Sequence, residues 1–148
     1  MKIEDEIKQK KFINAHQKAV INLVYTTNWM QGKHQEVFKS FNITPQQFNI
    51  LRILKGQHPN STSATEIKAR MLDRNSDVSR LLDRLVAKNV IVKKACPTDK
   101  RAFDVNLTEA GLELLRTLDK KQSELDNILN LSEEEAYQLS DLLDKSRG

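Results

Sequence analysis

Apolar residues recur three and four positions apart along most of the chain, which is the spacing of amphipathic helices. The clearest run is predicted as a helix over 77–88, with one stripe made of Val78, Leu81, Leu82, Leu85 and Val86. Residues 103–107 instead alternate apolar and polar side chains, as a half-buried strand does, and 91–94 supply a second short strand. The other helices are predicted at about 5–29, 33–41, 45–55, 64–71, from 109 onward and at 133–145. The fold class is therefore mainly α with one small β-hairpin.

Capping residues mark where several helices begin. The spacing of a capping box, Ser or Thr followed three residues later by Glu or Gln, occurs at Thr44–Gln47, Ser63–Glu66 and Ser132–Glu135. The first of these also has proline at the first helical position. Glycine near the end of a periodic stretch is a helix-termination signal. We therefore predict that Gly32 ends the first long helix and that Gly56 ends the helix that begins after Thr44.

Length and composition narrow the class of protein. A chain of 148 residues can form one domain with its own core and needs no disulfides. No apolar run approaches the roughly 18 uncharged residues of a membrane span. The early acidic residues and the missing apolar segment at the N-terminus do not fit a secretory signal. With a single cysteine, the sequence predicts a cytoplasmic protein in a reducing compartment, with no membrane partner.

No pattern in the sequence predicts catalysis. The glycine-rich nucleotide-binding motifs and the serine-nucleophile motif are missing. His16, His34 and His58 lack the spacing of metal ligands. Cys96 and a distant histidine do not make a convincing nucleophile pair. We therefore expect neither an enzyme nor a bound metal or cofactor.

The charge is distributed unevenly along the chain. Residues 1–63 contain nine basic and four acidic side chains, and 64–106 contain ten basic and six acidic ones. Residues 107–148 reverse the balance, with five basic and ten acidic side chains. A basic body with an acidic C-terminal third indicates a surface for a polyanion on one side of the protein, although scattered solvated charge would give the same totals.

Two of the predicted helices are separated by only a few residues. The short polar turn Leu72–Asn75 joins the helix at 64–71 to the helix at 77–88. A helix, a tight turn and a second amphipathic helix form a helix-turn-helix. The second helix of such a motif enters the DNA major groove.

The outer face of the second helix has the side chains that such entry needs. Arg80 and Arg84 are four residues apart and therefore lie on one side of the helix. Arginine can bond both major-groove acceptors of guanine, and short polar side chains at the helix start can reach other base edges. Ser76 is predicted as the N-cap. The alternative is a surface helix whose arginines pair with Asp77 and Asp83.

A basic hairpin follows directly. Its loop, Cys96–Arg101, separates the two predicted strands and contains Lys100 and Arg101. A helix-turn-helix followed by such a hairpin is a winged helix, and the wing could place these cations along a backbone or in a minor groove. Asp99 cannot bind phosphate, so we predict that it orients Arg101 through a charge-assisted bond. The alternative is an ordinary exposed hairpin.

Two segments resemble a known family. Residues 78–91 are similar to the recognition helix and its exit in MarR-type regulators, and residues 99–111 resemble that family's wing and its L-T-x-x-G helix start. The close match covers roughly 63–111, while the N-terminal helices agree only in pattern. Lys100 occupies a position where the family often has arginine, and Asn89 occupies one where it often has glycine. Both are conservative, because lysine keeps the charge and asparagine tolerates the left-handed conformation.

The resemblance implies a homodimeric winged-helix transcriptional regulator, often a repressor, that releases its double-stranded DNA operator when a small molecule or an oxidant acts on it. It implies one domain over 1–148, with dimerisation helices at about 1–30 and 109–148 and a DNA-binding lobe at about 33–108. The family's DNA-reading positions correspond to Asn75, Ser76, Asp77, Ser79, Arg80 and Arg84 in the helix and to Asp99, Lys100 and Arg101 in the wing.

A homodimer is also expected from the apolar residues themselves. The first and last helices have more of them than one small core needs, and an exposed stripe of that size would aggregate unless it were paired. Its C-terminal members are Leu115, Leu118, Leu125, Ile128, Leu129, Leu131, Leu139, Leu142 and Leu143. A symmetric dimer would place two recognition helices about 34–36 Å apart, one DNA turn, and would bind an inverted repeat.

Two further features allow more than one interpretation. Trp29, His34, Phe38 and Phe48 could line an effector pocket, or they could be core residues. Cys96, at the predicted base of the wing near several lysines, could be a redox-sensing thiol or an inert side chain. Two alternatives to an effector-released regulator therefore remain, a thiol redox-sensing regulator and a winged-helix module that binds a protein partner.

Overall fold

The computed structural model describes the backbone of residues 1–148 and every side chain except those of Lys100 and Arg101. It confirms a mainly helical protein with a small antiparallel sheet of three strands in the order β1-β3-β2. The elements are α1 (Ile3–Glu6), α2 (Ala15–Lys39), α3 (Pro45–Gln57), β1 (Thr62–Ser63), α4 (Ala64–Arg70), α5 (Val78–Ala87), β2 (Ile91–Cys96), β3 (Asp99–Leu107), α6 (Glu109–Asp119), α7 (Gln122–Asp126) and α8 (Glu133–Arg147).

The predicted role of the two glycines is wrong. The helix α2 continues through Gly32 to Lys39, so the predicted helices at 5–29 and 33–41 are largely one helix that starts at Ala15. Gly56 lies inside α3 and does not end it. Neither glycine has the positive φ of a helix C-cap, and a helical glycine costs only about 1 kcal/mol, which the rest of the helix can offset.

Other differences concern element length. The long helix predicted from residue 109 is divided into α6 and α7 around Lys120. Both wing strands are longer than predicted, because β2 continues to Cys96 and β3 starts at Asp99. The strand β1 has only two residues, too few to show a pattern, and it is defined by its pairing with β3, where Thr62 faces Val105.

The chain divides into two compact units, and the first contains residues Gln35–Asp126. Here the sheet packs with α3, α4, α5 and α6 around one apolar core. Fully buried members of this core are Ile50, Leu51, Ile67, Leu85, Ile91, Val105 and Leu115. Leu118 is also fully buried, in a neighbouring cluster with Phe38 and Ile43. Leu115 and Leu118 are thus core residues, and their predicted place in an exposed dimer stripe is wrong.

The second unit contains Met1–His34 and Asn127–Gly148. Its N-terminal segment is tied to α2 by an ion pair between Glu4 and Lys18 and by a hydrogen bond from the Tyr25 hydroxyl to Glu6. A capping box starts α8 as predicted, because the Ser132 hydroxyl accepts the Glu135 N–H at 3.2 Å. Over the residues described, no helix is long and apolar enough to cross a membrane.

The L-T-x-x-G segment joins the wing to α6. The Thr108 hydroxyl accepts the N–H of Gly111 at 3.0 Å, and so caps α6. The same hydroxyl donates to the carbonyl of Asn89 at 2.6 Å. Asn89 has φ of 59°, in the left-handed region that asparagine tolerates. Gly111 lies directly against the Val90 carbonyl. These contacts hold the exit of α5 and the start of α6 together, and with them both ends of the hairpin.

Replacing Thr62 by valine is expected to raise the free energy of unfolding by about 1 kcal/mol. The Thr62 side chain is fully buried, and its hydroxyl has no hydrogen-bond partner among the described residues. Valine has nearly the same shape and removes the unsatisfied polar atom. Urea denaturation would measure the change. The control Thr62→Ser keeps the hydroxyl and removes a methyl group, so it should destabilise. A less stable Thr62→Val would mean that the hydroxyl has a partner in solution.

Candidate nucleic-acid interface

The start of α5 is set by an aspartate. The Asp77 carboxylate accepts the backbone N–H of Arg80 at 3.1 Å, which makes Asp77 the N-cap. The prediction that Ser76 caps this helix is wrong. Serine and aspartate both cap helices well. With Ser76 as the N-cap, α5 would begin at Asp77, but it begins one residue later, at Val78. Capping by Asp77 fixes the position from which the outer face of α5 starts.

The turn between α4 and α5 is held by hydrogen bonds. The Asp73 carboxylate accepts the N–H of Asn75 at 2.9 Å, and the Asp73 carbonyl accepts that of Ser76 at 3.2 Å. The guanidinium of Arg74 donates to the Ala69 carbonyl at 3.0 Å. Asparagine and aspartate favour such turns because they bond the local backbone. Contacts within the chain itself therefore hold the residues that precede α5 in place.

The two arginines of α5 lie on its exposed face. The opposite face of the helix is buried through Val78, Leu82 and Leu85, which leaves Arg80 and Arg84 on the surface. Among the described side chains, neither guanidinium has a carboxylate partner.

The carboxylates that could have paired with them bond elsewhere. Asp83 forms an ion pair with Lys93 of β2 at 2.7 Å, and Asp77 caps the helix. The alternative interpretation, in which the arginines of α5 only pair with these aspartates, is therefore wrong. Among the described side chains, Arg80 and Arg84 are thus two cations, four residues apart, without a carboxylate partner.

The outer face of α5 borders two concave surfaces. The smaller, about 260 Å³, is lined by Thr44, Gln46, Asp73, Ser76, Asp77, Arg80, Leu81 and Arg84. The larger encloses about 650 Å³ and continues along the end of α5 to Lys88. Thr44, Gln46 and Arg84 line both concave surfaces. The start of α3 therefore lies beside α5. The sequence marked Thr44 only as a helix cap, and no local signal indicated this neighbourhood.

The wing is attached to α5 at its base. Lys93, which pairs with Asp83, also lies over the ring of Phe103 at 5.0 Å from the ring centroid. β2 and β3 pair in antiparallel register, with a shift between Ala95 and Cys96 near the tip. The side chains of Lys100 and Arg101 lie outside the described residues, so their predicted contact with DNA, and the orientation of Arg101 by Asp99, stay predictions.

Cys96 lies near the tip of the wing and not at its base, because it pairs with Asp99 across the turn. Its thiol is half-buried and lies 3.2 Å from the Thr98 hydroxyl. This hydrogen bond, with those from the N–H groups of Thr98 and Asp99, lowers the pKa of the thiol, against the opposing effects of partial burial and, to a smaller extent, of the Asp104 carboxylate. The sequence predicted nearby lysines as the cause of a lowered pKa, but local hydrogen bonds are the cause.

The residues of the predicted effector pocket fall in both units. Phe38 and Phe48 belong to the Gln35–Asp126 unit and stack with ring centroids 4.6 Å apart. Phe38 is almost fully buried in the core there. Trp29 and His34 belong to the other unit, where Trp29 is exposed and partial burial lowers the pKa of His34. An effector pocket at these four residues remains a prediction.

Comparison with known proteins identifies the family. The model of the MarR family matches residues 41–102. The chain is 30% identical over 105 residues to the HTH-type transcriptional regulator MhqR of Bacillus subtilis (strain 168), covering 68% of this chain and 70% of MhqR. The chain belongs to the MarR family. It is a DNA-binding transcriptional regulator, as its resemblance to this family implied, and its function is not enzymatic.

Solved structures of MarR proteins have the same fold. A MarR transcription factor from Planctomyces limnophilus superposes with a TM-score of 0.71 at 29% identity, covering 90% of this chain and 98% of that one. MepR of S. aureus, in a structure described as its DNA-binding conformation, superposes with a TM-score of 0.70 at 25% identity. The match covers 86% of this chain and 95% of the MepR chain. This MarR chain thus has the winged-helix fold that its sequence pattern predicted.

Proposed function

We propose that this MarR protein is a homodimeric repressor that places α5 of each copy in the major groove of an inverted-repeat operator. The observation that supports this most directly is the free pair of arginines, Arg80 and Arg84, on the exposed face of a capped helix. Arginine is the side chain best suited to bind guanine O6 and N7 together. The proposal assigns DNA contacts to Asn75, Ser79, Arg80, Arg84, Asp99, Lys100 and Arg101. Two of the positions that the resemblance implied are not assigned a contact, because Asp77 caps the helix and the hydroxyl of Ser76 is buried.

Exposed apolar side chains support the homodimer. Val20, Leu23 and Val24 lie on one face of α2, at the spacing i, i+3 and i+4, and all three are largely exposed. Tyr137 and Leu142 of α8 are about two-thirds exposed. Both sets belong to the unit built from the N- and C-terminal helices. Apolar surface of this kind favours association, and a second copy of the same chain offers a matching surface.

In such a dimer, a small molecule could release the protein from DNA by changing the distance between the two recognition helices. The distance between two recognition helices must match about one turn of DNA, roughly 34–36 Å, for both to bind. A ligand that binds more tightly to a dimer with another spacing would shift the population away from the DNA-binding form. This part of the proposal needs no chemistry beyond differential affinity, and it leaves the identity of the ligand open.

A selection from random DNA duplexes at about 150 mM salt, near physiological ionic strength, tests the proposal. We expect the sequenced bound pool to contain an inverted repeat whose half-sites are about ten base pairs apart, centre to centre. Sedimentation of the free protein should give the mass of two chains. A single half-site bound by one chain would overturn the dimer but keep sequence-specific DNA binding. A pool without a motif would overturn the operator model as a whole and favour a winged-helix module that binds a protein partner.

A separate experiment distinguishes a repressor from an activator. The selected operator is placed across the start of a reporter gene, and transcription is measured with purified polymerase. A repressor that acts by occupying the site should lower the transcript in proportion to operator occupancy. The Arg80→Ala/Arg84→Ala variant serves as the control, because it keeps the fold and should not repress. An increase in transcript with the parent protein would identify an activator.

A further inference from the structure

Leu72, in the turn between α4 and α5, is unusually exposed for an apolar residue. Its side chain is 88% accessible, and among the large apolar side chains described only that of the terminal Met1 is more so. Its neighbour Met71 is buried in the core. A single exposed leucine is common on protein surfaces and by itself indicates no function. Leu72 differs because the backbone that carries it is held in place.

Two kinds of contact hold the backbone of Leu72. Its N–H donates to the side-chain carbonyl of Asn49, in α3, at 2.9 Å. On its C-terminal side, Asp73 bonds the N–H groups of Asn75 and Ser76. A large apolar side chain on a pre-ordered turn loses little backbone entropy when a ligand covers it. It is therefore suited to make a specific contact.

The position of Leu72 indicates what could cover it. The next residue, Asp73, lines the smaller concave surface together with Arg80 and Arg84 of the recognition helix. Leu72 therefore lies at the border of the surface that faces DNA in the proposed complex. Most groups in the major groove are polar, and the C5-methyl of thymine is the apolar group there that a side chain can contact. A leucine at this border matches that group.

We propose that Leu72 determines specificity by contacting the methyl group of one thymine in each half-site. The inference rests on the proposed binding of α5 in the major groove. It adds an apolar contact to an interface whose other predicted members are polar or charged. It also predicts a thymine at a fixed position in each half-site, related by the symmetry of the operator.

The test replaces each thymine of the selected operator, one position at a time, by deoxyuridine, which lacks only the methyl group. At one position per half-site, the parent protein should bind the uracil operator about fourfold more weakly than the thymine operator. Losing the contact with about one methyl group has an effect of this size. Leu72→Ala should bind the thymine and uracil operators equally. The matched control Leu72→Met keeps an apolar side chain and should retain the preference for thymine.

The outcomes separate this inference from the proposed function. If the parent selects an operator but no thymine position is sensitive to uracil, the role of Leu72 is refuted and the operator model stands. The same holds if Leu72→Ala shows the same uracil sensitivity as the parent. If the parent selects no motif at all, the proposed function itself fails. Because Leu72 is exposed, the circular dichroism and thermal midpoint of its variants should match those of the parent.

Discussion

Replacing Gly111 by alanine is expected to lower the free energy of unfolding by about 3 kcal/mol, at the upper end of the usual cost of overpacking. A Cβ atom at this position would lie 2.1 Å from the carbonyl oxygen of Val90 and 3.2 Å from the side chain of Leu107. The first atom belongs to the backbone, so it cannot rotate away. To make room, α6 must separate from the exit of α5, which also weakens the contacts of Thr108 with both segments.

Gly56→Ala is the matched control for this experiment. Gly56 is a helical glycine of the same unit, and nothing lies within 4 Å of its Cβ position. Alanine there should stabilise the protein by about 0.5–1 kcal/mol, because it removes the entropic cost of glycine in a helix. Urea denaturation of the two variants should therefore give changes of opposite sign. Equal stabilities of Gly111→Ala and the parent would show that the close approach to Val90 is absent in solution.

Replacing Arg84 by alanine is expected to weaken operator binding by about 1–3 kcal/mol at physiological salt, and Arg80→Ala should have an effect of the same size. Both guanidinium groups are free of carboxylate partners among the described side chains, so their removal leaves no buried charge and should not affect folding. Fluorescence anisotropy with the selected operator and with a scrambled duplex would measure the loss. Arg101→Ala should also weaken binding, through the wing.

The salt dependence tells which part of DNA each arginine contacts. Removing an arginine that contacts phosphate lowers the affinity for all duplexes alike and reduces the salt slope by about 1, whereas removing one that contacts a base relaxes specificity at one position. Arg116→Ala is the control, because Arg116 is an exposed helical arginine of α6 that already pairs with Glu113. Unchanged operator affinity in both Arg80→Ala and Arg84→Ala would refute the assignment of α5 as the recognition helix.

Local features of the fold were predictable because their physical causes are close together in the sequence. The apolar stripe of α5 appears at the predicted spacing, since residues three and four apart share a helix face. The capping boxes at Thr44 and Ser132 form as predicted, since each joins residues three positions apart. The prediction for the start of α5 was wrong by one residue, because Ser76 and Asp77 are both good caps and only the folded turn selects one.

The tertiary structure decided which groups meet and which stay free. Asp83 could have paired with Arg80 or Arg84 on its own helix, but the wing brings Lys93 to it, and this leaves the arginines available to DNA. The start of α3 lies beside α5 although more than thirty residues separate them.

By itself, the sequence determined the helix periodicity, the caps, the helix-turn-helix and wing order, and through its resemblance the MarR family. It could not decide that Leu115 and Leu118 are core residues, because an apolar stripe looks the same whether it faces its own core or a second chain. Nor could it decide that α2 passes through Gly32. Local order depends on neighbours within about one helical turn, whereas burial and charge pairing depend on residues that only the folded chain brings together.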